Sequence, residues 1–120
     1  MFMSDQIPFA ASSDLPLREL EAQITELAGH LNAANYRWLM LIAEFDHRLG
    51  WNDGALHSCA HWLNFKVGLN LGAARERVRV AHALPGVPKI AAAMSRGELS
   101  YSKVRARRGW RPLRPKTRCS

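Results

Sequence analysis

Nine apolar residues in the first half of the chain repeat at alternating intervals of three and four positions. They are Leu17, Leu20, Ile24, Leu27, Leu31, Ala34, Trp38, Leu41 and Phe45. This is the heptad spacing of a helix that carries an apolar seam along one side. It predicts one long helix of about 30 residues, capped by Ser13 or Asp14 and stopped by Gly50.

A seam of this length must be covered, and the sequence leaves two arrangements open. Other helices of the same chain can pack on it, as in most helical domains. A second copy of the chain can cover it instead, and such a homodimer would be held by Leu17, Leu20, Ile24, Leu27 and Leu31. A kink near the middle is also expected, because Gly29, Asn32 and Asn35 are weak helix formers.

Turn and capping residues predict four shorter helices after the long one. They cover residues 55–67, 71–84, 88–94 and a short stretch after Ser100, with Asn52 or Asp53, Asn70, Pro88 and Ser100 at their starts and Gly68, Pro85 and Gly97 at their ends. The second and third helices are separated only by residues 68–70, which is typical of a helix-turn-helix pair. The predicted fold class is therefore all-α, with one long helix followed by about four short helices.

The net charge of +7 is distributed unevenly. Residues 1–54 hold three basic and eight acidic side chains, residues 55–102 hold six and two, and residues 103–120 hold eight and none. The last 18 residues therefore supply more than the whole positive excess. An interpretation as a nucleic-acid-binding protein must rest on the placement of individual basic residues, and not on the total charge.

The third predicted helix offers such a placement. On a helical wheel, Arg75 and Arg79 fall on its outward face, where they can reach phosphates or base edges of double-stranded DNA. The predicted DNA-binding residues are Lys66, Asn70, Gly72, Arg75 and Arg79. The alternative is a solvated charged face on which Glu76 pairs locally with its neighbours. Arg77 falls on the apolar side, and we expect it to be half-buried and paired.

The sequence predicts no catalytic site, metal site or cofactor. His57 and His61 lie four residues apart with Cys59 between them, but no third ligand and no glutamate in the HExxH position accompany them. Cys59 and Cys119 lack a CxxC spacing, so free thiols are expected. The longest apolar run, residues 38–43, is too short to span a bilayer, so we expect a cytoplasmic protein without membrane contact.

Three separated blocks carry a family resemblance. They are LIAEFDHRLGW at residues 41–51, AHWLNFKVGLNLGAARERVRVAHAL at residues 60–84, and MSRGELSYSKVRA at residues 94–106. Within residues 27–106 they resemble the actinobacterial family called domain of unknown function 222, also known as the 13E12 repeat family. In that family the matching region lies N-terminal to an HNH endonuclease domain. The resemblance implies a DNA-related role by association, and no catalytic residue of the family falls in the matched region.

The chain departs from the family pattern after Ala106. The resemblance implies an apolar helix and then an acidic stretch, whereas residues 107–120 read RRGWRPLRPKTRCS and cannot form an amphipathic helix. One codon choice for residues 109–120 encodes VATPETEDEVL in another reading frame. The hypothesis is therefore a truncated family member with a frameshifted tail, which lacks the HNH domain.

Three segments are expected from these patterns: a disordered N-terminus at residues 1–13, a helical domain at residues 14–106, and a disordered basic tail at residues 107–120. The helix pair, followed by Leu84-Pro85 and a short helix, is also similar to the helix-turn-helix region of the ParB partition proteins. The predicted function is a non-catalytic, DNA-associated helical module. The alternatives are a helical dimerisation or interaction domain and a non-functional truncated fragment.

Overall fold

The computed structural model describes residues 15–52 and 54–106. Within these ranges the order of elements is α1 (Leu17–His47), α2 (Cys59–Val67), α3 (Leu71–Ala83), a 3₁₀ turn (Leu84–Gly86), α4 (Pro88–Ser95) and α5 (Tyr101–Ala106), and no strand occurs there. The prediction of an all-α fold with one long helix and several short ones is confirmed. The disorder predicted at residues 1–13 and 107–120 concerns segments outside the described residues.

Helix α1 is continuous over 31 residues, so its weak helix formers do not interrupt it. Its N-cap position is occupied by Pro16, and no side chain caps the helix, so the prediction of Ser13 or Asp14 as the cap was wrong. The helix also ends before Gly50. Leu49 takes the left-handed conformation with φ 57°, and the Gly50 N–H donates to the Phe45 carbonyl at 2.9 Å, which closes the last turn.

Gly50 has a different role from the one expected. A β-carbon at this position would overlap the Phe45 ring, so the packing of that ring requires a glycine there. Leu49 supplies the left-handed residue that usually is a glycine at a helix C-terminus. The helix stop was therefore predicted near the right place but assigned to the wrong residue.

Helix α2 begins at Cys59, four residues later than predicted. Ser58 is its cap, because the Ser58 Oγ accepts a hydrogen bond from the His61 N–H at 3.2 Å. Gly54 has φ 135°, a value outside the helical region, so the helix does not extend back to this residue. The cap at Asn52 or Asp53 was therefore wrong, whereas the end at Gly68, with φ 83°, is confirmed.

The hydrophobic core lies beneath the C-terminal half of α1, where the shorter helices pack against it. Its buried members are Leu39, Ile42, Cys59, Ala60, Leu63, Ala74, Val80, Ala81, Leu84, Met94 and Val104. We call these packed elements, from residue 29 to residue 106, the helical body. The N-terminal half of α1 extends beyond it, which gives the described chain a length of 59 Å against a thickness of 20 Å.

The most deeply buried face of α1 is offset from the heptad seam, although Trp38 and Phe45 at the C-terminal end of the seam also pack on the helical body. Leu39 and Ile42 are the buried residues of α1. They lie about 100° around the helix axis from the centre of the seam, since each residue advances by about 100°. Leu17, Ile24 and Leu27 on the seam remain 82%, 68% and 59% exposed. The described helices thus leave the N-terminal part of the seam uncovered.

Candidate nucleic-acid interface

A short, well-ordered turn joins α2 to α3 and sets the direction of α3. Gly68 ends α2 in the left-handed conformation. The Asn64 side-chain amide then donates to the Leu69 carbonyl at 2.7 Å, and the Asn70 Oδ1 accepts from the Ala73 N–H at 3.2 Å. The predicted N-cap at Asn70 is confirmed. Its side chain is committed to the first turn of α3, and the helix-turn-helix-like pair is present.

The outward face of α3 carries the residues that the helical wheel placed there. Gly72, Arg75 and His82 are exposed, whereas Ala74 and Ala81 are buried on the opposite side. Arg75 makes no ion pair with any residue in the described part of the chain. Its guanidinium is therefore available to a ligand, and Gly72 exposes the backbone of the first helical turn next to it.

Arg79 has a local partner, as the alternative interpretation of this face expected. Its Nε and Nη2 atoms donate to the two carboxylate oxygens of Glu76 at 3.2 and 2.6 Å. Arg105 of α5 lies on the same carboxylate, with its Nε 3.7 Å from the Glu76 Oε2. The hydrogen bond from Arg79, with the positive charges of both arginines, lowers the pKa of Glu76. Glu76 thus stays ionised and offsets part of the positive charge.

Arg77 is half-buried between helices, as predicted. Its Nη1 donates to the Asn35 Oδ1 at 2.8 Å. Its guanidinium lies 3.7 Å from the centre of the Tyr101 ring and 4.7 Å from that of Trp38. Burial lowers the pKa of Arg77. An amide and two aromatic faces therefore hold this cation, and it joins α1, α3 and α5 as a structural residue.

Lys66 lies in the last turn of α2 and is exposed, with its Nζ 5.9 Å from the centre of the Phe65 ring. Phe65 itself is 71% exposed. Trp62 packs against α1, since its ring centre lies 4.3 Å from that of Phe45.

Arg105 was missed by sequence reasoning. Its neighbour Val104 is buried, which fixes the orientation of α5, but only the docking of α5 against α3 brings Arg105 to Glu76. No spacing within α5 indicates that contact. The site that the structure assembles is therefore the predicted arginine pair of α3 together with one arginine from a distant part of the sequence.

Three of the histidines contact neighbouring side chains. The His61 Nδ1 lies 2.7 Å from the Ser58 Oγ, and the rings of His57 and His61 are 5.8 Å apart. The His82 Nε2 lies 2.7 Å from an Asp46 carboxylate oxygen. In residues 15–52 and 54–106 no group of three histidine, cysteine or acidic side chains is placed to hold a metal ion.

The same helical region matches a known protein family. The sequence profile described as "Domain of unknown function (DUF222)" matches residues 17–109. The chain belongs to the DUF222 family. In this chain the DUF222 match begins at the first residue of α1 and includes every described helix. No curated protein and no solved structure shows a significant match. Among the described helices, none is long and apolar enough to cross a lipid bilayer.

Proposed function

We propose that this DUF222 chain is a non-catalytic, DNA-associated helical module that binds duplex phosphates through the outward face of α3. The observation that carries the proposal is the charged cluster formed by Arg75, Arg79, Arg105 and Glu76. Arg79 and Arg105 share the Glu76 carboxylate, and Arg75 lies one helical turn before Arg79 without an ion pair to a described residue, so the three guanidinium groups and one carboxylate carry a net charge of +2. A phosphate backbone supplies the opposite charge at regular spacing.

The position of α3 supports the same proposal. In helix-turn-helix proteins the second helix of the pair enters the major groove, and the residues of its N-terminal turns approach the DNA. α3 is the second helix here, and Arg75 lies in its second turn. Gly72 has no side chain that would keep the backbone away from a phosphate. Arg75 is thus the residue whose substitution we expect to weaken DNA binding most.

The wider setting of the chain is also a proposal. We infer from the family resemblance that the chain corresponds to the N-terminal part of an HNH-endonuclease-like protein, with the nuclease centre outside it. We attribute the basic segment at residues 107–120 to a frameshift. Resequencing of the locus tests this attribution, since a family-like continuation that reaches an HNH motif in another frame supports it and a confirmed frame without one contradicts it.

The salt dependence of duplex binding tests the DNA proposal. Each phosphate contact contributes about −0.9 to the slope of log K against log salt concentration. Arg75→Ala should reduce the slope by about that amount. Glu76→Gln should strengthen binding, because it releases Arg79 and Arg105 from their carboxylate partner. Arg96→Ala removes the same charge at an exposed position just after α4, where Arg96 pairs with Glu98, and it is the control.

The basic segment must be separated from the helix face in this experiment. Residues 107–120 contain six basic side chains, which attract any polyanion. The measurement is therefore repeated in a full-length variant with Arg111, Arg114, Lys116 and Arg118 changed to Gln. The effect of Arg75→Ala should persist in it. An unchanged slope for a folded protein that carries both Arg75→Ala and Arg79→Ala contradicts the proposal.

A further inference from the structure

Helix α1 exposes a line of large apolar side chains that a monomer would leave in water. These residues are Leu17, Ile24, Leu27, Leu31 and Leu41, each between 59% and 82% exposed, and we call them the α1 stripe. All five occupy heptad positions, so they lie on one side of the helix. Contiguous apolar surfaces of this kind usually mark an interaction site.

The stripe continues into a groove between α1 and α2. The groove is lined by Trp38 and Phe45 of α1 and by Trp62, Leu63 and Val67 of α2, and we call it the α1/α2 groove; its cavity volume is about 610 Å³. Trp38, Leu41 and Phe45 belong to the same heptad repeat. One apolar surface therefore runs along α1 for about 40 Å, at about 1.5 Å per residue. Its N-terminal part is a bare ridge, and its C-terminal part is the groove.

We propose that a second copy of this chain covers this surface, with the two α1 helices antiparallel. The N-terminal part of the α1 stripe, from Leu17 to Leu31, then lies in the α1/α2 groove of the other copy, and Leu41 lines that groove. A parallel pair would place ridge on ridge at one end and groove on groove at the other. It would also bring both helical bodies to the same end. A two-fold axis relates the two copies of the antiparallel pair, so the ridge of each copy is covered by the groove of the other.

The repeat itself indicates the partner. A heptad seam is completed by another helix of similar length and the same spacing, because side chains interlock only when the repeats match. Within the described part of the chain, the next longest helix, α3, has 13 residues, and α1 alone carries the repeat. A second α1 therefore fits the seam in length and in spacing.

The apolar area is sufficient for a stable dimer. A leucine side chain buries roughly 100 Å² when it leaves water, as its transfer free energy implies. The five residues of the α1 stripe are 59–82% exposed, so together with the exposed edge of the groove they bury roughly 450 Å² of apolar surface per copy. This is close to the apolar share of the roughly 800 Å² per partner in a standard interface.

The charges also favour the antiparallel direction. The stripe half of α1 carries Glu19, Glu21 and Glu26 against one basic residue, Arg18. The groove half, taken with the C-cap residue Arg48, carries Arg37 and Arg48 against Glu44 and Asp46, so it has no net charge. An antiparallel pair places the acidic half of one copy beside this neutral half of the other. A parallel pair brings the two acidic halves together, which is unfavourable.

The oligomeric state of the full chain tests the proposal. Sedimentation velocity between about 1 and 100 µM should show a monomer–dimer equilibrium, since an interface of this size supports such affinities. Ile24→Glu with Leu27→Glu should raise the dimer Kd at least about 100-fold, because it buries charge in the seam. Ala22→Glu with Thr25→Glu adds the same charge at exposed positions off the seam, and should change the Kd less than about threefold.

Circular dichroism is used to check that both double variants keep their helices. A protein that stays monomeric at about 100 µM, well above the Kd range expected for such an interface, overturns the proposal. An equal loss of dimer in both double variants also overturns it. In either case the stripe is available to a different partner.

Spin labels then decide the direction of the helices. Labels are placed at Arg18→Cys or at His30→Cys in the Cys119→Ser background, in which Cys59 is buried. The two-fold axis of an antiparallel pair lies near residue 30. Labels at 18 should then be roughly 35 Å apart and labels at 30 under roughly 20 Å apart, from the rise per residue and the helix spacing. Short distances at both positions indicate a parallel pair and overturn the antiparallel arrangement.

Discussion

Gly97, just after α4, packs directly on the backbone of Gly29 in α1. A β-carbon on Gly97 would lie 2.6 Å from the Gly29 carbonyl oxygen and 3.2 Å from its α-carbon. The Asn32 side-chain amide donates to the Gly97 carbonyl at 3.2 Å beside this contact. Two residues that weaken α1 as an isolated helix are therefore the residues on which the end of α4 docks.

We expect Gly97→Ala to destabilise the fold strongly, for two reasons. Gly97 has φ 84°, a left-handed conformation that costs an alanine roughly 1–2 kcal/mol. The added methyl group also meets rigid backbone, which must move apart. The free energy of unfolding, from urea titration followed by circular dichroism, should fall by about 3 kcal/mol or more.

Gly68→Ala is the matched control for this prediction. Gly68 has φ 83°, and a β-carbon there would have no atom within 4 Å. Gly68→Ala should therefore lower the free energy of unfolding only by the cost of the left-handed conformation, roughly 1–2 kcal/mol. If the two alanine variants lose equal stability, the contact between Gly97 and Gly29 contributes nothing to the fold.

Arg77→Lys should destabilise the fold by about 1–2 kcal/mol, although it keeps the charge. The planar guanidinium contacts Tyr101 and Trp38 and donates to Asn35, whereas a lysine ammonium is compact and more strongly hydrated. Arg75→Lys is the control, because Arg75 is exposed and its replacement should stay within about 0.5 kcal/mol. Equal unfolding free energies for the two lysine variants would show that the stacking is not stabilising.

Cys59 should make the fold less stable in alkali. Burial, with a smaller effect from the Asp46 carboxylate, raises the pKa of the Cys59 thiol to about 11 from its ordinary value of 9.0. The unfolded chain loses this proton at a lower pH than the folded chain does. The protonated thiol therefore makes its full contribution to the free energy of unfolding below pH 9, and this contribution is lost as the pH rises towards 11. The loss attributable to Cys59 should reach roughly 2–3 kcal/mol, at 1.36 kcal/mol per pKa unit.

Cys59→Ala provides the reference for that measurement. Urea titrations of both proteins at pH 8 and pH 11 give the change in unfolding free energy across this range. The change should be smaller in Cys59→Ala, because the variant has no thiol to ionise at that position. Parallel pH profiles for the two proteins would rule out the buried thiol as the source of the effect.

The sequence predicted which arginines of α3 face outward and which face inward, because this depends only on their angle around the helix axis. The helical wheel placed Arg75 outward and Arg77 inward, and both assignments hold. It could not give the partners of these residues. Asn35 lies 42 positions before Arg77, and Arg105 reaches Glu76 only through the docking of α5. Such contacts depend on distances between helices, which a single-helix pattern does not contain.

The sequence by itself determined the long α1, the cap at Asn70 and the ends at Gly68 and Gly97, where the Gly97 N–H donates to the Met94 carbonyl at 2.9 Å. It also determined the cap at Ser100, whose Oγ accepts from the Lys103 N–H at 3.1 Å. Helix periodicity and capping act over only three or four residues. The tertiary structure decided which side of α1 is buried. Helix α1 has two apolar faces that could be buried, and the heptad seam is the more regular of the two. The close approach of Gly97 to Gly29 and the contacts of Arg77 instead place Leu39 and Ile42 against the helical body. The N-terminal seam is left exposed, since the N-terminal half of α1 extends beyond the helical body.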